Sequence, residues 1–212
     1  INIEDVNKDI SITGTVGGDV KLGDKVVVVV NGKEYLTNVD SNLKFSVNVP
    51  GSELALDSDN IVEAKVTITD DSGNVVTAED TEDYIVDTTA TKAPTVVIAE
   101  DVNNDGLISA DELSNDGLVD VKITVPADTK LADTLTVTNP DGTTTDYAVT
   151  QDILDNGLAL TYKAPAEGSN ITVSATITDK AGNTSAKGED TALLDTTATK
   201  APTVVIAEDV NN

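Results

Sequence analysis

The chain contains no cysteine, histidine, tryptophan or methionine, and Phe45 is its one phenylalanine. All thirteen cationic residues are lysine, so arginine is missing as well. Without cysteine no disulfide can staple a small secreted domain, and another staple, usually a metal, must take that part. Without histidine or cysteine there is no conventional nucleophile–base triad and no nitrogen- or sulfur-ligated metal site. One phenylalanine and four tyrosines offer no aromatic-lined pocket to hold a sugar between paired carboxylates. These absences read as a protein that is not an enzyme. Basic charge is scarce: 13 lysines face 38 acids, for a net charge of −25. A nucleic acid or an anionic membrane surface needs a basic face, so neither is expected as a partner. No apolar run is long enough to span a bilayer, and no signal peptide is visible. The missing starting Met and abrupt ends read as an internal piece of a longer chain.

What is abundant is acid, valine and threonine. A charge of this size destabilises a compact chain through self-repulsion unless cations are bound, and divalent ions are the obvious candidates. At 212 residues the chain can hold two ordinary domains, each burying roughly two-thirds of its unfolded surface.

The organisation is a repeat. Residues 87–104 read DTTATKAPTVVIAEDVNN, and residues 195–212 repeat them without a change, a period of 195 − 87 = 108 residues. Glu4-Asp5-Val6-Asn7 echoes Glu100-Asp101-Val102-Asn103, which places a weaker copy at the start. Repetition at about a hundred residues implies an array of whole domains. The expected division is residues 1–92, residues 93–200, and residues 201–212 as the first strand of a further module. Each module reads as short β-strands: DISITGTV, KVVVVVN, KEYLTNV, LKFSVNVP, IVEAKVTIT and VVTAED in the first, and PTVVIAE, LVDVKITVP, TLTVTN, TTDYAVT, LALTYKA, ITVSATITD and TALLD in the second. Asn31-Gly32, Pro140-Asp141-Gly142, Ser72-Gly73-Asn74 and Ala181-Gly182-Asn183 supply the turns between them. About seven alternating strands per hundred residues predict an all-β fold of tandem immunoglobulin-like sandwiches. The joint from Asp87 to Thr95 has β-branched residues, Pro94 and no glycine, which makes it short and stiff. A strand of ten residues spans roughly 33 Å, so each module should add a step of about 40 Å to a rod.

One motif carries chemistry. Residues 101–112, DVNNDGLISADE, match the twelve-residue calcium loop of the EF-hand. Asp101, Asn103 and Asp105 offer oxygens at positions one, three and five. Gly106 makes the turn, Leu107 offers its carbonyl, Ser109 can hold a water, and Glu112 closes the sphere. The flanks are strand rather than helix, so the loop is expected on a β scaffold. The same spacing in the first module begins Asp5, Asn7, Asp9 but meets Ile10 in place of glycine and Val16 in place of glutamate, a degenerate copy. The last copy keeps Asp209 and Asn211 and is cut short. A second expectation is a calcium clamp at the joint. Asp5, Asp9, Asp57, Asp59 and Asp87 would gather at one end of the first module and face a 128–133 loop and the Asp179–Asn183 turn of the second.

The strings AEDVNNDGLISADEL, VSATITDKAGNTSA, DTTATKAPT and SITGTVGGDVKLGDKVVVVVNGKEY resemble the repeated immunoglobulin-like (BIg) modules in the extender region of giant RTX-type and biofilm-associated adhesins. The resemblance implies type I secretion, an extracellular place at the bacterial surface, and a stalk that projects an adhesive tip in cell adhesion and biofilm formation. It implies that calcium drives folding and rigidity, with Asp87, Asp101, Asn103, Asp105, Glu112, Asp179 and Asp195 as ligands. It also implies a monomer whose partners are the neighbouring modules of its own chain. No RTX nonapeptide occurs here. The rival reading is a calcium-dependent ligand- or carbohydrate-binding module, against which the shortage of aromatic anchors counts.

Overall fold

The protein is described from a computed structural model, for residues 1–69 and 72–205. It divides into two compact units. Unit 1 holds Ile1–Lys92 together with Ile177–Ser185; unit 2 holds Ala93–Thr176 and Ala186–Asn212. The main break thus falls between Lys92 and Ala93, but the 177–185 turn packs with unit 1, which no linear reading anticipates. Residues 206–212, with Asp209 and Asn211, lie outside the described residues.

Unit 1 has six strands: β1 (Asp9–Thr15), β2 (Lys25–Val30), β3 (Lys33–Asn38), β4 (Lys44–Pro50), β5 (Ile61–Thr69) and β6 (Val75–Asp83). They form a pair, β1-β4, and a four-stranded sheet in the order β3-β2-β5-β6. The valine run of β2 is explained by its central place between β3 and β5. Asn31 and Gly32, at φ 50° and 70°, make the two-residue turn that sets the β2–β3 register, pairing Val30 with Lys33. Val26, Val28, Val30, Phe45, Val49 and Leu54 form the core between the two sheets.

Unit 2 carries β7 (Thr95–Ile98), β8 (Leu107–Ile108), β9 (Leu118–Thr124), β10 (Thr134–Thr138), β11 (Thr144–Ala148), β12 (Leu158–Lys163), β13 (Asn170–Thr178, whose last residues belong to the 177–185 turn) and β14 (Gly188–Leu194). The orders are β12-β9-β7 in one sheet and β11-β10-β13-β14-β8 in the other. β14 and β8 are parallel, and β10-β11, β9-β12, β13-β14 and β7-β9 are antiparallel. β9 alternates exposed and buried along its whole length, as a strand with one face on a core must. The fold is the all-β, immunoglobulin-like sandwich that the strand pattern predicts.

Two short helices interrupt the β reading: α1 (Gly51–Leu56) and α2 (Gln151–Asn156). Neither is long enough to leave a periodic pattern, and their signals are local. The Thr150 hydroxyl caps α2 by accepting the Ile153 N–H. Gly157 then ends it at φ 77°. α1 follows Pro50 and buries Leu54.

Candidate metal centre

Residues 101–112 follow β7, contain the short strand β8 and fold back on themselves. Asp101 is buried, at 6% exposure. One of its carboxylate oxygens accepts the Asp105 N–H and the other the Gly106 N–H, both at 2.9 Å. The Asn103 side-chain oxygen accepts the Asp105 N–H, and Asp105 accepts the Leu107 N–H. Asn104 and Gly106 lie at φ 56° and 82°, the left-handed region that tightens the coil. Glu112 accepts both the N–H and the hydroxyl of Ser109, at 3.0 and 2.8 Å. Those bonds, with smaller contributions from the Asn103 and Val102 amides, hold its carboxyl below the ordinary glutamate range. The far end of the loop therefore lies against its beginning.

The backbone adds one more oxygen. Leu193 donates to the Gly106 carbonyl and Asp195 to the Ile108 carbonyl, at 2.8 and 3.0 Å. Carbonyls alternate along a strand, so the Leu107 carbonyl between them is left off that ladder and faces the other way. Carboxylates at 101, 105 and 112, the Asn103 amide, the Leu107 carbonyl and the Ser109 hydroxyl make an all-oxygen donor set of the hard kind calcium takes. The residues present fit that ion. Among the described residues, no three or more acidic side chains are arranged as a metal-holding group; here the loop carboxylates are engaged by the loop's own amides.

The other expected ligands lie in turns and at the ends of elements. Residues 5–16 do not form a loop: Asp5–Asn7 is a single 3-10 turn and Asp9 opens β1. Ile10 through Thr15 therefore run extended and cannot wrap a point. The degenerate-loop alignment is corrected accordingly. The hydrogen bonds give a different correspondence. Asn2 donates its N–H to Asp5 as Ser109 does to Glu112, and Asp87 donates to the Ile1 carbonyl as Asp195 does to Ile108. Ile1 therefore answers to Ile108, and Asp5 to the closing Glu112. The Glu-Asp-Val-Asn string recurs at a different place in the fold.

Asp57 is buried and lies 2.9 Å from the Tyr84 hydroxyl, which also reaches the Leu54 carbonyl. Burial and then Asp57 push that phenol well above its usual value. Asp57 is thus occupied with Tyr84. Asp59 and Asp87 accept N–H groups two residues ahead, from Ile61 and Thr89, and Asp195 does the same with Thr197. These are local turn contacts. Asp179 accepts the Ala181 and Asn183 N–H groups and the Asn183 side-chain amide. Burial opposes its charge, but those bonds hold its carboxyl below the ordinary value.

The residue the sequence reading missed is Asn183. It is fully buried, accepts the Ile3 N–H at 2.8 Å, and donates to the Asp87 carbonyl at 2.8 Å and to Asp179 at 3.0 Å. Asn2 adds a bond to the Ala181 carbonyl. A neutral amide ties the 177–185 turn to the ends of the 1–92 segment within unit 1, and holds the Asp179 carboxylate beside the Asp87 backbone. In sequence it looked like any residue of a Gly-Asn turn. Glu167 was also missed; it gathers the N–H and hydroxyl groups of both Thr196 and Thr197.

Comparison with solved structures gives two strong likenesses. One is a calcium-stabilised adhesin with which an Antarctic bacterium reaches out and binds ice: TM-score 0.65, 32% identity, over 94% of this chain and 47% of that one. The second is from a 1.5-MDa bacterial ice-binding adhesin concerned with retention at a host cell surface: TM-score 0.61, 31% identity, over 92% of this chain and 60% of that one. An immunoglobulin-like domain of the M. primoryensis ice-binding adhesin is 39% identical over 41% of this chain and 84% of its own, with a TM-score of 0.39. The chain spans about half of the first of these structures and three-fifths of the second. No protein-family model matches it, and no curated protein does.

Proposed function

Because this chain belongs to the bacterial immunoglobulin-like modules of large surface adhesins, we propose that it is a calcium-rigidified length of stalk that holds an adhesive tip away from the cell. The observation that carries the reading is the repeated joint. Residues 87–104 and 195–212 are identical, while the strands of unit 1 and unit 2 differ from one another in sequence. A spacer needs the same junction every time and tolerates variation elsewhere. The oxygen donors in residues 101–112 support calcium as the rigidifying ion, and that loop follows β7 and contains β8, at the entry of unit 2 just after the joint. On this reading the protein works outside the cell, is not an enzyme, and has the neighbouring modules of its own chain as partners.

Calcium then acts by mass action on the folded state. Extracellular modules bind it with dissociation constants of about 10⁻⁴–10⁻³ M. At tenfold excess one site adds about 1.4 kcal/mol. Thermal unfolding in a few millimolar calcium, in equal magnesium and in excess chelator tests the proposal. We expect the highest melting temperature in calcium, and expect Glu112→Gln to remove most of the calcium-dependent shift of unit 2 while sparing unit 1. Equal melting in all three solutions would overturn the calcium stalk.

A further inference from the structure

Five steps in this chain set a glycine after an asparagine or an aspartate: Asn31-Gly32, Asp105-Gly106, Asp116-Gly117, Asp141-Gly142 and Asn156-Gly157. Glycine has no side chain to shield its own amide nitrogen. At such a step that nitrogen can reach the preceding side-chain carbonyl and close a five-membered imide. Asparagine is the more reactive partner, because an aspartate carboxylate must be protonated before it can lose water. In a folded chain two things limit the reaction: whether the glycine N–H is already engaged, and whether the backbone can turn.

Four of the five are engaged. Gly106 donates to Asp101 at 2.9 Å. Gly117 donates to the Ser114 carbonyl, Gly142 to the Asn139 carbonyl and Gly157 to the Ile153 carbonyl, at 3.2, 2.9 and 2.9 Å. Gly32 is the exception, since its N–H donates to no atom of the described residues. A Cβ placed on Gly32 would meet nothing within 4 Å, whereas one on Gly157 would fall 2.6 Å from the Ile123 carbonyl. The two asparagine side chains are otherwise alike. The Asn31 amide nitrogen donates to Glu53 at 3.0 Å, and that of Asn156 donates to Asp152 at 2.7 Å. What separates the two sites is the backbone.

The turn is also one peptide rotation away from the reacting conformation. Asn31 and Gly32 lie at φ 50° and 70°, the two positive values that a type I′ hairpin turn requires. Turning the peptide plane between them gives a type II′ turn, with φ still positive at the first residue and negative at the second. Glycine accepts either sign at that second place. The rotation carries the Gly32 nitrogen from the far side of the Cα–C bond to the side of the Asn31 side chain, where the ring closes.

We propose that Asn31 is a site of spontaneous deamidation, with the β2–β3 turn supplying the geometry and solvent supplying the water. The Gly32 nitrogen attacks Asn31 Cγ, and its proton passes through solvent to the departing nitrogen. A carbon–nitrogen bond forms, the Cγ–Nδ2 bond breaks, and Nδ2 leaves as ammonia beside Glu53. Water then opens the imide at either carbonyl. One opening gives aspartate; the other routes the main chain through the side chain and gives isoaspartate. Both products set a second carboxylate against Glu53, whose counter-ion is Lys33 at 2.5 Å. Isoaspartate also adds a backbone atom to the two-residue turn that sets the pairing of Val26, Val28 and Val30. Those valines belong to the core, so unit 1 loses stability as the conversion proceeds. The inference depends on neither the calcium loop nor the stalk reading.

Peptide mapping by mass spectrometry, after incubation of the full chain at neutral pH, tests it. In the folded chain we expect Asn31 to convert at least about tenfold faster than Asn156. In denaturant, where both glycine amides are free, the two should convert at similar rates. Part of the product at residue 31 should be isoaspartate, and Gly32→Ala should slow conversion there at least about tenfold in the unfolded chain as well. An Asn31 that survives as long as Asn156 in the folded chain would overturn the proposal. So would a rate difference that persists undiminished in denaturant, or conversion to aspartate with no isoaspartate.

Discussion

Gly157 ends α2 at φ 77° and ψ −179°, a region that only glycine occupies without strain. A Cβ there would also lie 2.6 Å from the Ile123 carbonyl on β9. Gly142 has a similar φ of 82° but open space around it. Gly157→Ala should therefore lose clearly more stability than Gly142→Ala: the second pays the left-handed backbone cost of about 1–2 kcal/mol, the first pays that and a backbone clash. Denaturant unfolding of the two variants checks the order, and equal losses would mean that β9 yields to the added methyl. The candidate calcium loop is legible at this same scale. Asp101, Asn103, Asp105, Gly106 and Glu112 are recognisable because their spacing is sequential and the loop is local. Asn183 is not, because its partners Ile3 and Asp87 are distant in sequence.

Among the elements, the turn at 177–185 has the least expected role. Its Asn183 side chain satisfies a backbone N–H and a backbone carbonyl while itself fully buried. Asn183→Ala leaves both without that partner. Each orphaned buried group costs about 1–3 kcal/mol, so unit 1 should lose at least about 2 kcal/mol in urea unfolding. Asn183→Asp should not rescue it, since a carboxylate cannot donate to the Asp87 carbonyl and would face Asp179. A loss below about 0.5 kcal/mol, the usual surface range, would mean that water replaces the amide. The strands themselves were readable because β-branched alternation has a period of two. The helices α1 and α2 were not, because six residues hold less than two turns of periodicity.

At the scale of the whole molecule the net charge of −25 sets a general cost. In chelator, raising the salt from about 0.01 to 0.15 M shortens the Debye length from about 30 to 8 Å. If screening recovers about 1 kcal/mol in either unit, its melting temperature should rise by about 4–8 °C. Calcium at the same ionic strength should raise it further. A melting temperature indifferent to salt would mean that the acids are too far apart to repel, and would remove the electrostatic reason for binding cations. Composition, the 108-residue repeat, the strand pattern and the twelve-residue loop are all properties of the chain read in order, because each depends on neighbours a few residues away or on whole-chain sums. Which strands flank β1 and β6, where Asn183 finds its partners, and that Ile1 rather than Glu4 begins the correspondence with the second unit were decided by the tertiary structure alone. Edges, grooves and buried amides are made by segments that meet only after the chain has folded, and no local pattern records which segments will meet.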